Sequence, residues 1–183
     1  MRSKSSRSFI VLALSTLLLS ALSPSAQAAE KGYRYWGYFQ AAPGATAWSE
    51  AMTGPTTVVA DGSVEGWVFT FSGDGVPQAS QPMFAPNFSR LCGRAKFTAA
   101  TQKRVGVIVD FGRAVLRPKG EPIPHFVTKC VVIEKSAIGS DILAKAVKIR
   151  FAASGFVCAL NTYPAKECGA EIPTPRSLIV KKN

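Results

Sequence analysis

The sequence predicts an α+β domain with a β-grasp-like core, an additional aromatic β-hairpin and two disulfides. Four cysteines lie beyond an apolar N-terminal run, and the order of elements after residue 104 is strand, strand, helix, strand. Hydrophobic residues make up 47% of the chain and charged residues 18%. This composition excludes a disordered chain, because it supplies enough apolar surface to offset the ordering entropy.

Residues 1–28 are predicted to be a secretory signal peptide. Three basic residues precede an apolar run at 9–22, and the small residues Ala26 and Ala28 follow it. The run is too short to span a bilayer comfortably, and no second long apolar run follows it. We therefore expect a secreted mature chain with no transmembrane segment. That chain has 19 basic and 11 acidic residues, a net charge of +8.

The cysteines are expected to form disulfides, because an even number in an exported chain is typical of a disulfide framework. Their separations of 38, 28 and 10 residues do not resemble the closely spaced pairs of zinc sites. Four cysteines allow three pairings, and spacing does not choose among them. We favour Cys158–Cys168, which closes a short loop, and Cys92–Cys130, which ties a helical turn to a strand.

The first half of the mature chain is predicted to carry the aromatic hairpin. Segments 33–39, 55–60 and 64–71 are rich in aromatic and β-branched residues, and Asp-Gly-Ser at 61–63 is a hairpin signal between the last two. In the last segment Glu65 and the aromatic residues at alternate positions share one face. A Pro-rich loop at 73–90 follows, and Asn87 is the expected cap of one helical turn that runs to Cys92.

The second half is predicted to form the core. The expected elements are strands at 104–110 and 126–133, a helix at 141–148 and a strand at 155–160. Ser140 is the expected N-cap of the helix. We place a single domain at 29–171 and a flexible basic tail at 172–183.

Signals for catalysis are sparse. His125 is the only histidine, and its place between Pro124 and Phe126 at a strand entry favours a packing or exposed role. Carboxylates that would serve a hydrolase are Asp61, Glu65, Asp74 and Asp110. Turn and strand-edge roles explain Asp61 and Glu65 more simply. We therefore expect no catalytic residue, no metal site and no cofactor.

Two surface features suggest binding. A basic cluster comprises Lys103, Arg104, Arg113, Arg117 and Lys119, which favours either solubility or contact with anionic cell-wall polymers, lipid headgroups or an acidic ligand. The aromatic residues exceed what a core of this size requires, and flat amphipathic ligands favour such side chains. The candidate ligand contacts are Tyr38, Trp48 and Tyr163 beside turns, together with Trp36 and Trp67, for which we favour a core position across the hairpin.

Two segments carry a family resemblance. YRYWGYF…WSEAMTGP…DGSVEGWVF at 33–69 and IGSDILAKAV…SGFVCALNTYPAKECG at 138–169 resemble an uncharacterised family of small secreted proteins of Gram-positive bacteria. The same motifs are similar to the β-grasp-type C-terminal domain of transcobalamin-like proteins, although here the aromatic hairpin precedes the helix. The resemblance implies a link to a vitamin-like or corrinoid ligand, or to an envelope transporter component.

The expected function is therefore a secreted, non-enzymatic binding or accessory module. One alternative is a cell-envelope interaction protein that positive charge retains on anionic wall polymers. A second alternative is a secreted hydrolase with an Asp/Glu pair. Nucleic acid is not an expected partner outside the cell.

Overall fold

The computed structural model describes residues 30–179, and the predicted signal peptide lies outside them. The strands are β1 (Lys31–Ala41), β2 (Ser49–Glu50), β3 (Val64–Gly73), β4 (Gln102–Asp110), β5 (Val127–Glu134), β6 (Ile149–Phe151), β7 (Val157–Leu160) and β8 (Ala170–Pro173). The α-helices are α1 (Phe88–Cys92) and α2 (Gly139–Ala146). Short 3-10 turns occupy Ala114–Leu116 and Arg176–Leu178. The predicted α+β class is confirmed, with sheet predominating.

The main sheet is mixed and has the order β2-β1-β3-β4-β5, with β8 on β1. β1 and β3 pair antiparallel from Gly32↔Gly73 to Ala41↔Val64. β3 and β4 run parallel, so the chain between them crosses over the sheet through the Pro-rich loop and α1. β5 is the edge strand beside β4 and runs antiparallel to it.

Alternation along the strands produces an apolar layer on each face of the sheet. Trp67 and Val107 face the layer that contains Ile142 of α2 and Leu160 of β7. Val68 packs in the opposite layer. That second layer holds Phe39, Ala41, Trp48, Val64, Val68 and Ile108, with Phe84, Phe88 and Leu91 packed against them. Because both faces are covered, β3 is buried from residue 64 to residue 71.

Both predicted disulfides are confirmed. Cys92–Cys130 joins α1 to β5, and Cys158–Cys168 joins β7 to the loop before β8. Two disulfides are compatible with an extracellular protein. Within residues 30–179, no helix is long and apolar enough to cross a membrane.

The strand pairing corrects two expectations. Segment 55–60 is not a strand of a hairpin, and only an isolated bridge, Val58↔Ile138, forms there. β3 pairs instead with β1, because the long aromatic strands offer ten paired positions. In the second half, the order strand, strand, helix, strand is present, but β7 pairs with β6 in a separate two-stranded sheet. The last strand therefore does not join the main sheet as a β-grasp core requires.

The ends of two elements also differ from expectation. α2 begins at Gly139, so Ile138 and not Ser140 is the N-cap residue, and the Asp141 carboxylate accepts the Ile138 N–H at 3.0 Å. Residues 172–179, which we expected to be a flexible tail, include the end of β8 and a 3-10 turn. Leu178 is buried in the core, which holds this segment against the sheet.

Candidate functional site

The five predicted ligand-contact aromatics are all buried. Their exposed fractions are 4% for Trp36, 8% for Tyr38, 8% for Trp48, 2% for Trp67 and 3% for Tyr163. Tyr38 stacks on Trp67 with ring centroids 4.5 Å apart, and the Trp36 indole donates to the Tyr163 carbonyl at 3.2 Å. Trp48 lies in the layer on the other face. These side chains therefore pack the core, as favoured for Trp36 and Trp67, and Tyr38, Trp48 and Tyr163 do not form an exposed surface.

The predicted basic cluster is not one surface patch. Lys103 is 2% exposed and lies inside the protein. The Arg104 guanidinium lies over the Phe97 ring at 4.1 Å and pairs with Asp61 at 3.4 Å. The exposed remainder of the cluster is Arg113, Arg117 and Lys119, which belong to the loop after β4.

The carboxylates considered for hydrolysis have separate partners. Asp61 accepts the Arg104 backbone N–H at 2.7 Å, whereas Glu65 accepts the Tyr38 hydroxyl. Asp110 accepts backbone N–H groups from both the Pro-rich loop and the turn after β4. Asp74 and His125 are exposed. Across residues 30–179, no group of three or more His, Cys, Asp or Glu is placed to hold a metal ion.

A groove of about 500 Å³ lies on the face of the sheet opposite α2. We call it the Phe84–Phe126 groove; its lining residues are Thr46, Phe84, Ala85, Pro86, Asn87, Arg90, Leu91, Ile108, Phe126, Thr128, Lys129 and Cys130. The rings of Phe84 and Phe126 meet with centroids 4.6 Å apart, and Phe126 is 49% exposed. The groove therefore offers an aromatic wall to a ligand.

The Cys92–Cys130 disulfide connects the two walls of this groove. One wall is α1, where the Asn87 side chain accepts the Arg90 N–H at 2.9 Å as the predicted cap. The other wall is β5, which contributes Thr128 and Cys130. Because the walls are covalently joined, the groove is preorganised.

A second site lies at the end of the sheet where β1 finishes and β3 starts. A cavity of about 260 Å³, which we call the Glu65 cavity, is lined by Gln40, Ala41, Ala42, Pro43, Thr57, Val58, Val59, Ala60, Ser63, Val64 and Glu65. Glu65 is 1% exposed. Its Oε1 accepts the Tyr38 hydroxyl, which in turn accepts Gln40 Nε2 at 2.7 Å. The other carboxylate oxygen, Oε2, is buried without a hydrogen-bond partner among the described residues.

Lys103 supplies a positive charge that lowers the pKa of Glu65. Its Nζ donates to the carbonyls of Val59 at 2.7 Å, Lys135 at 2.9 Å and Ala137 at 2.6 Å. Burial lowers the pKa of Lys103, against the attraction of Glu65. The ammonium group therefore joins the segment before β3 to the segment between β5 and α2.

Burial raises the pKa of Glu65, and this desolvation outweighs the Tyr38 hydrogen bond and the Lys103 charge, which lower it. Burial, followed by the negative charge of Glu65, also raises the pKa of Tyr38. The tyrosine therefore remains a hydroxyl donor and the carboxyl group is its acceptor.

The raised pKa predicts how a Glu65→Gln variant responds to pH. The folded state holds the Glu65 proton more tightly than the unfolded state. The contribution of this proton to the free energy of unfolding is therefore complete below the ordinary glutamate pKa of 4.5. That contribution is lost as the pH rises through the folded-state pKa. We expect the stability of the variant, relative to the native chain, to increase as urea unfolding is repeated from pH 4 to pH 7.

The control for this measurement is Glu50→Gln, which removes an exposed carboxylate from the same sheet and reports the effect of losing one negative charge. A relative stability of Glu65→Gln that stays constant or decreases over this range contradicts the assignment.

Sequence reasoning missed both the groove and the buried Lys103. The signal for Lys103 was present, because it shares the alternation of Val105, Val107 and Val109 on the core face of β4. Glu65 likewise shares a face with Trp67. The groove had no comparable signal, since its walls come from segments far apart in the chain.

Comparison with known proteins identifies the family. A family model described as the SCO2322-like domain, an uncharacterised family, matches residues 28–173. No curated protein and no solved structure matches the chain. The matched range takes in every strand from β1 to β8, both α-helices and all four cysteines. The chain therefore belongs to the SCO2322-like domain family.

Proposed function

We propose that the protein is an extracellular, non-enzymatic binding module that takes a small amphipathic ligand with an anionic group. The observation that carries this proposal is the Phe84–Phe126 groove, because it combines an aromatic wall with a cation in one preorganised concavity. Ligand sites in proteins commonly have this size and mixture of apolar and polar groups.

The apolar part of the ligand is inferred from the floor and wall of the groove. Ile108 and Leu91 supply aliphatic surface, and the tilted pair of Phe84 and Phe126 supplies the faces and edges of two rings. Aromatic rings pack favourably against other flat apolar groups. A ring system in the groove would cover Phe126, which is otherwise half exposed.

The anionic group is inferred from Arg90. Both cations of the groove are exposed, but Lys129 Nζ donates to the Lys145 carbonyl at 3.0 Å, at the end of α2. Arg90 has no ion-pair partner within residues 30–179. A guanidinium at the rim of an apolar groove suits a carboxylate, sulfonate or phosphate.

The extracellular location is supported by the two disulfides and by the signal-peptide pattern. The resemblance to secreted Gram-positive proteins and to transcobalamin-like domains adds a vitamin-like or corrinoid compound as a candidate ligand, and an envelope transporter component as a candidate partner. A non-enzymatic role is supported by the separate partners of Asp61 and Glu65.

A pair of fluorescent probes tests the groove in the oxidised chain. The sulfonate 8-anilino-1-naphthalenesulfonate and the uncharged N-phenyl-1-naphthylamine share a ring system and differ in charge. We expect both to bind saturably and the sulfonate to bind more tightly. Phe126→Ala should weaken both probes about tenfold, whereas Arg90→Gln should weaken only the sulfonate, by a similar factor.

Phe151→Ala and Arg113→Gln are the matched controls, because both residues are exposed and neither lines the groove. Equal losses in the controls and the groove variants would count against the proposal, as would the absence of saturable binding. Competition by cobalamin then decides whether the ligand is a corrinoid; lack of competition removes that ligand class.

The cell-envelope alternative is supported by the exposed Arg113, Arg117 and Lys119 in the loop after β4. Retention by charge requires that binding to purified cell walls weakens steeply as salt rises. Binding that is insensitive to salt, or that survives neutralisation of these three residues, would eliminate this function.

A further inference from the structure

We propose that the end of the β6–β7 hairpin inserts into an anionic lipid surface. Residues 151–156, which we call the hairpin tip, have the sequence Phe-Ala-Ala-Ser-Gly-Phe and include no charged residue. This docking surface goes beyond the proposed function, because no residue of the tip lines the Phe84–Phe126 groove. It is therefore independent of the ligand that the groove takes.

The hairpin tip exposes two aromatic rings. The exposed fractions are 46% for Phe151 and 42% for Phe156, and Ala153, Ser154 and Gly155 between them are also exposed. Within residues 30–179, β6 and β7 form a sheet of only two strands and pair with no other strand. Exposed apolar patches on a folded protein mark sites of contact with another molecule or a membrane. The tip is such a patch.

The stem of the hairpin is fixed to the rest of the protein. Val157 and Leu160 of β7 belong to the buried core. The Cys158–Cys168 disulfide ties β7 to the loop before β8. Arg150 Nη2 donates to two backbone carbonyls of the loop that this disulfide closes, at 3.0 Å and 2.7 Å. The two exposed rings are therefore presented on a rigid stem, which lowers the ordering cost of docking.

The backbone of the tip already satisfies several of its own polar groups. The Ala152 N–H donates to the Phe156 carbonyl at 2.9 Å, and the Gly155 N–H donates to the Ala152 carbonyl at 3.0 Å. Gly155 has a φ of +84°, a conformation that glycine adopts without strain, and this closes the turn. Because unpaired backbone groups are costly in an apolar medium, these bonds reduce the cost of placing the turn below the headgroups.

The surroundings of the tip are positively charged. Residues 142–166 include no acidic residue and four basic ones, Lys145, Lys148, Arg150 and Lys166. Lys145 and Lys148 line an open concavity of about 700 Å³ together with Phe151, so both lysines lie on the same side of the hairpin as this ring. Among the described residues, Lys145, Lys148 and Lys166 have no ion-pair partner.

The acidic residues that bound this segment are engaged elsewhere. The Asp141 carboxylate accepts the Ile138 N–H at 3.0 Å, and Glu167 forms an ion pair with Arg34. The positive charge beside the tip is therefore left to interact with an external partner. Basic residues at a membrane surface are attracted to anionic lipid headgroups over a distance set by the ionic strength.

The combination of rings and lysines favours a lipid surface over other partners. An anionic polymer would account for the lysines and not for the exposed phenylalanines. An apolar protein surface would account for the phenylalanines and not for the unpaired lysines. Elements that lie in a membrane interface combine both features, with aromatic or aliphatic side chains in the acyl region and basic residues at the headgroups.

The test measures sedimentation of the oxidised mature chain with lipid vesicles. The mature chain begins at Ala29, because the apolar run at 9–22 would itself bind lipid. One set of vesicles contains phosphatidylglycerol and phosphatidylcholine in equal parts, and the other contains phosphatidylcholine alone. We expect binding to the anionic vesicles to be tighter by about tenfold or more, and to weaken as salt rises.

Two double variants separate the roles of the rings and the charges. Phe151→Ala with Phe156→Ala should weaken binding to anionic vesicles about tenfold, because the inserted apolar area is lost. Its control is Phe126→Ala, which removes a half-exposed ring outside the tip and should have no effect.

Lys145→Gln with Lys148→Gln should weaken binding by a similar factor. The control for this pair is Arg113→Gln with Lys119→Gln, which removes the same charge from exposed positions in the loop after β4 and should retain most of the binding.

Ser154→Trp reports insertion directly. Ser154 is exposed in the turn, so this variant keeps the packing of the hairpin stem. The three native tryptophans are buried, so the added indole dominates any change in emission. We expect its emission to shift to shorter wavelength on anionic vesicles and to be quenched by brominated acyl chains. Binding should also tighten, because tryptophan favours the membrane interface.

Other outcomes overturn the proposal. Loss of binding in the lysine variant but not in the phenylalanine variant would mean adsorption by charge alone, as on a wall polymer. Equal binding to both kinds of vesicle would remove the role of anionic lipid, and binding to neither would remove the membrane. Solvent-like, unquenched emission from vesicle-bound Ser154→Trp would place the contact on another face. Since Phe126→Ala changes probe binding and not vesicle binding, failure here is distinguishable from failure of the groove.

Discussion

Lys103→Met is expected to lower the free energy of unfolding by about 3–5 kcal/mol, because it removes a buried ammonium group that donates three hydrogen bonds to backbone carbonyls. Methionine approximates the length of the lysine stem, but it leaves the carbonyls of Val59, Lys135 and Ala137 without their donor. It also removes the positive charge that lowers the pKa of Glu65. Both effects act in the same direction, so the loss should exceed that of an ordinary surface change.

Urea unfolding followed by tryptophan fluorescence measures this loss. Lys119→Met removes an exposed lysine and should change stability by less than about 0.5 kcal/mol. Adding Glu65→Gln to Lys103→Met should recover part of the loss, since the uncompensated carboxylate is removed while the three carbonyls remain unpaired. A loss below about 1 kcal/mol for Lys103→Met would show that water replaces the ammonium.

Removal of the Cys92–Cys130 disulfide is expected to affect both stability and the groove. The bond spans 38 residues, and loop-closure entropy alone predicts a loss of about 4 kcal/mol in the double alanine variant. The same variant separates α1 from β5, which form the walls of the Phe84–Phe126 groove. We therefore expect the sulfonate probe to bind at least tenfold more weakly.

The second disulfide is the natural control. Cys158–Cys168 spans 10 residues, so its removal should cost about 3 kcal/mol. It lies between β7 and the loop before β8 and contributes no residue to the groove. Probe affinity should therefore remain near that of the native chain. A similar loss of affinity in both double variants would indicate general loosening rather than loss of a clamped groove.

The local elements of the fold were largely predictable. Short apolar runs marked 104–110 and 126–133 as strands, and the structure has strands at Gln102–Asp110 and Val127–Glu134. Asn87 was correctly expected to cap a helical turn. These features depend on side chains within a few residues of one another, so sequence patterns describe them well.

The pairing of strands was less predictable. The Asp-Gly-Ser turn at 61–63 suggested a hairpin of neighbouring segments, whereas β3 pairs with the distant β1. β7 similarly pairs with β6 rather than with the main sheet. A strand carries the same alternation whichever partner it has, and the choice depends on the total area that each arrangement buries.

The burial of the candidate site residues was also poorly predicted from the sequence. Trp48 and Tyr163 looked like surface aromatics because each lies beside a turn, but the layers on both faces of the sheet cover them. Phe126 was assigned to a strand without a binding role, and the structure places its exposed ring against Phe84. Burial depends on elements distant in the chain, which a local pattern does not contain.

The sequence by itself determined the α+β class and most of its strands, because backbone geometry imposes short periods that apolar residues reveal. It also predicted two disulfides, since four cysteines follow a signal-peptide pattern, although their number and spacing did not choose among the three possible pairings. Only the tertiary structure decided which aromatics are buried, which strands are neighbours and where concavities form. It alone showed that the Lys103 ammonium is buried against the carbonyls of Val59, Lys135 and Ala137, because these carbonyls belong to segments that pack over the end of the sheet.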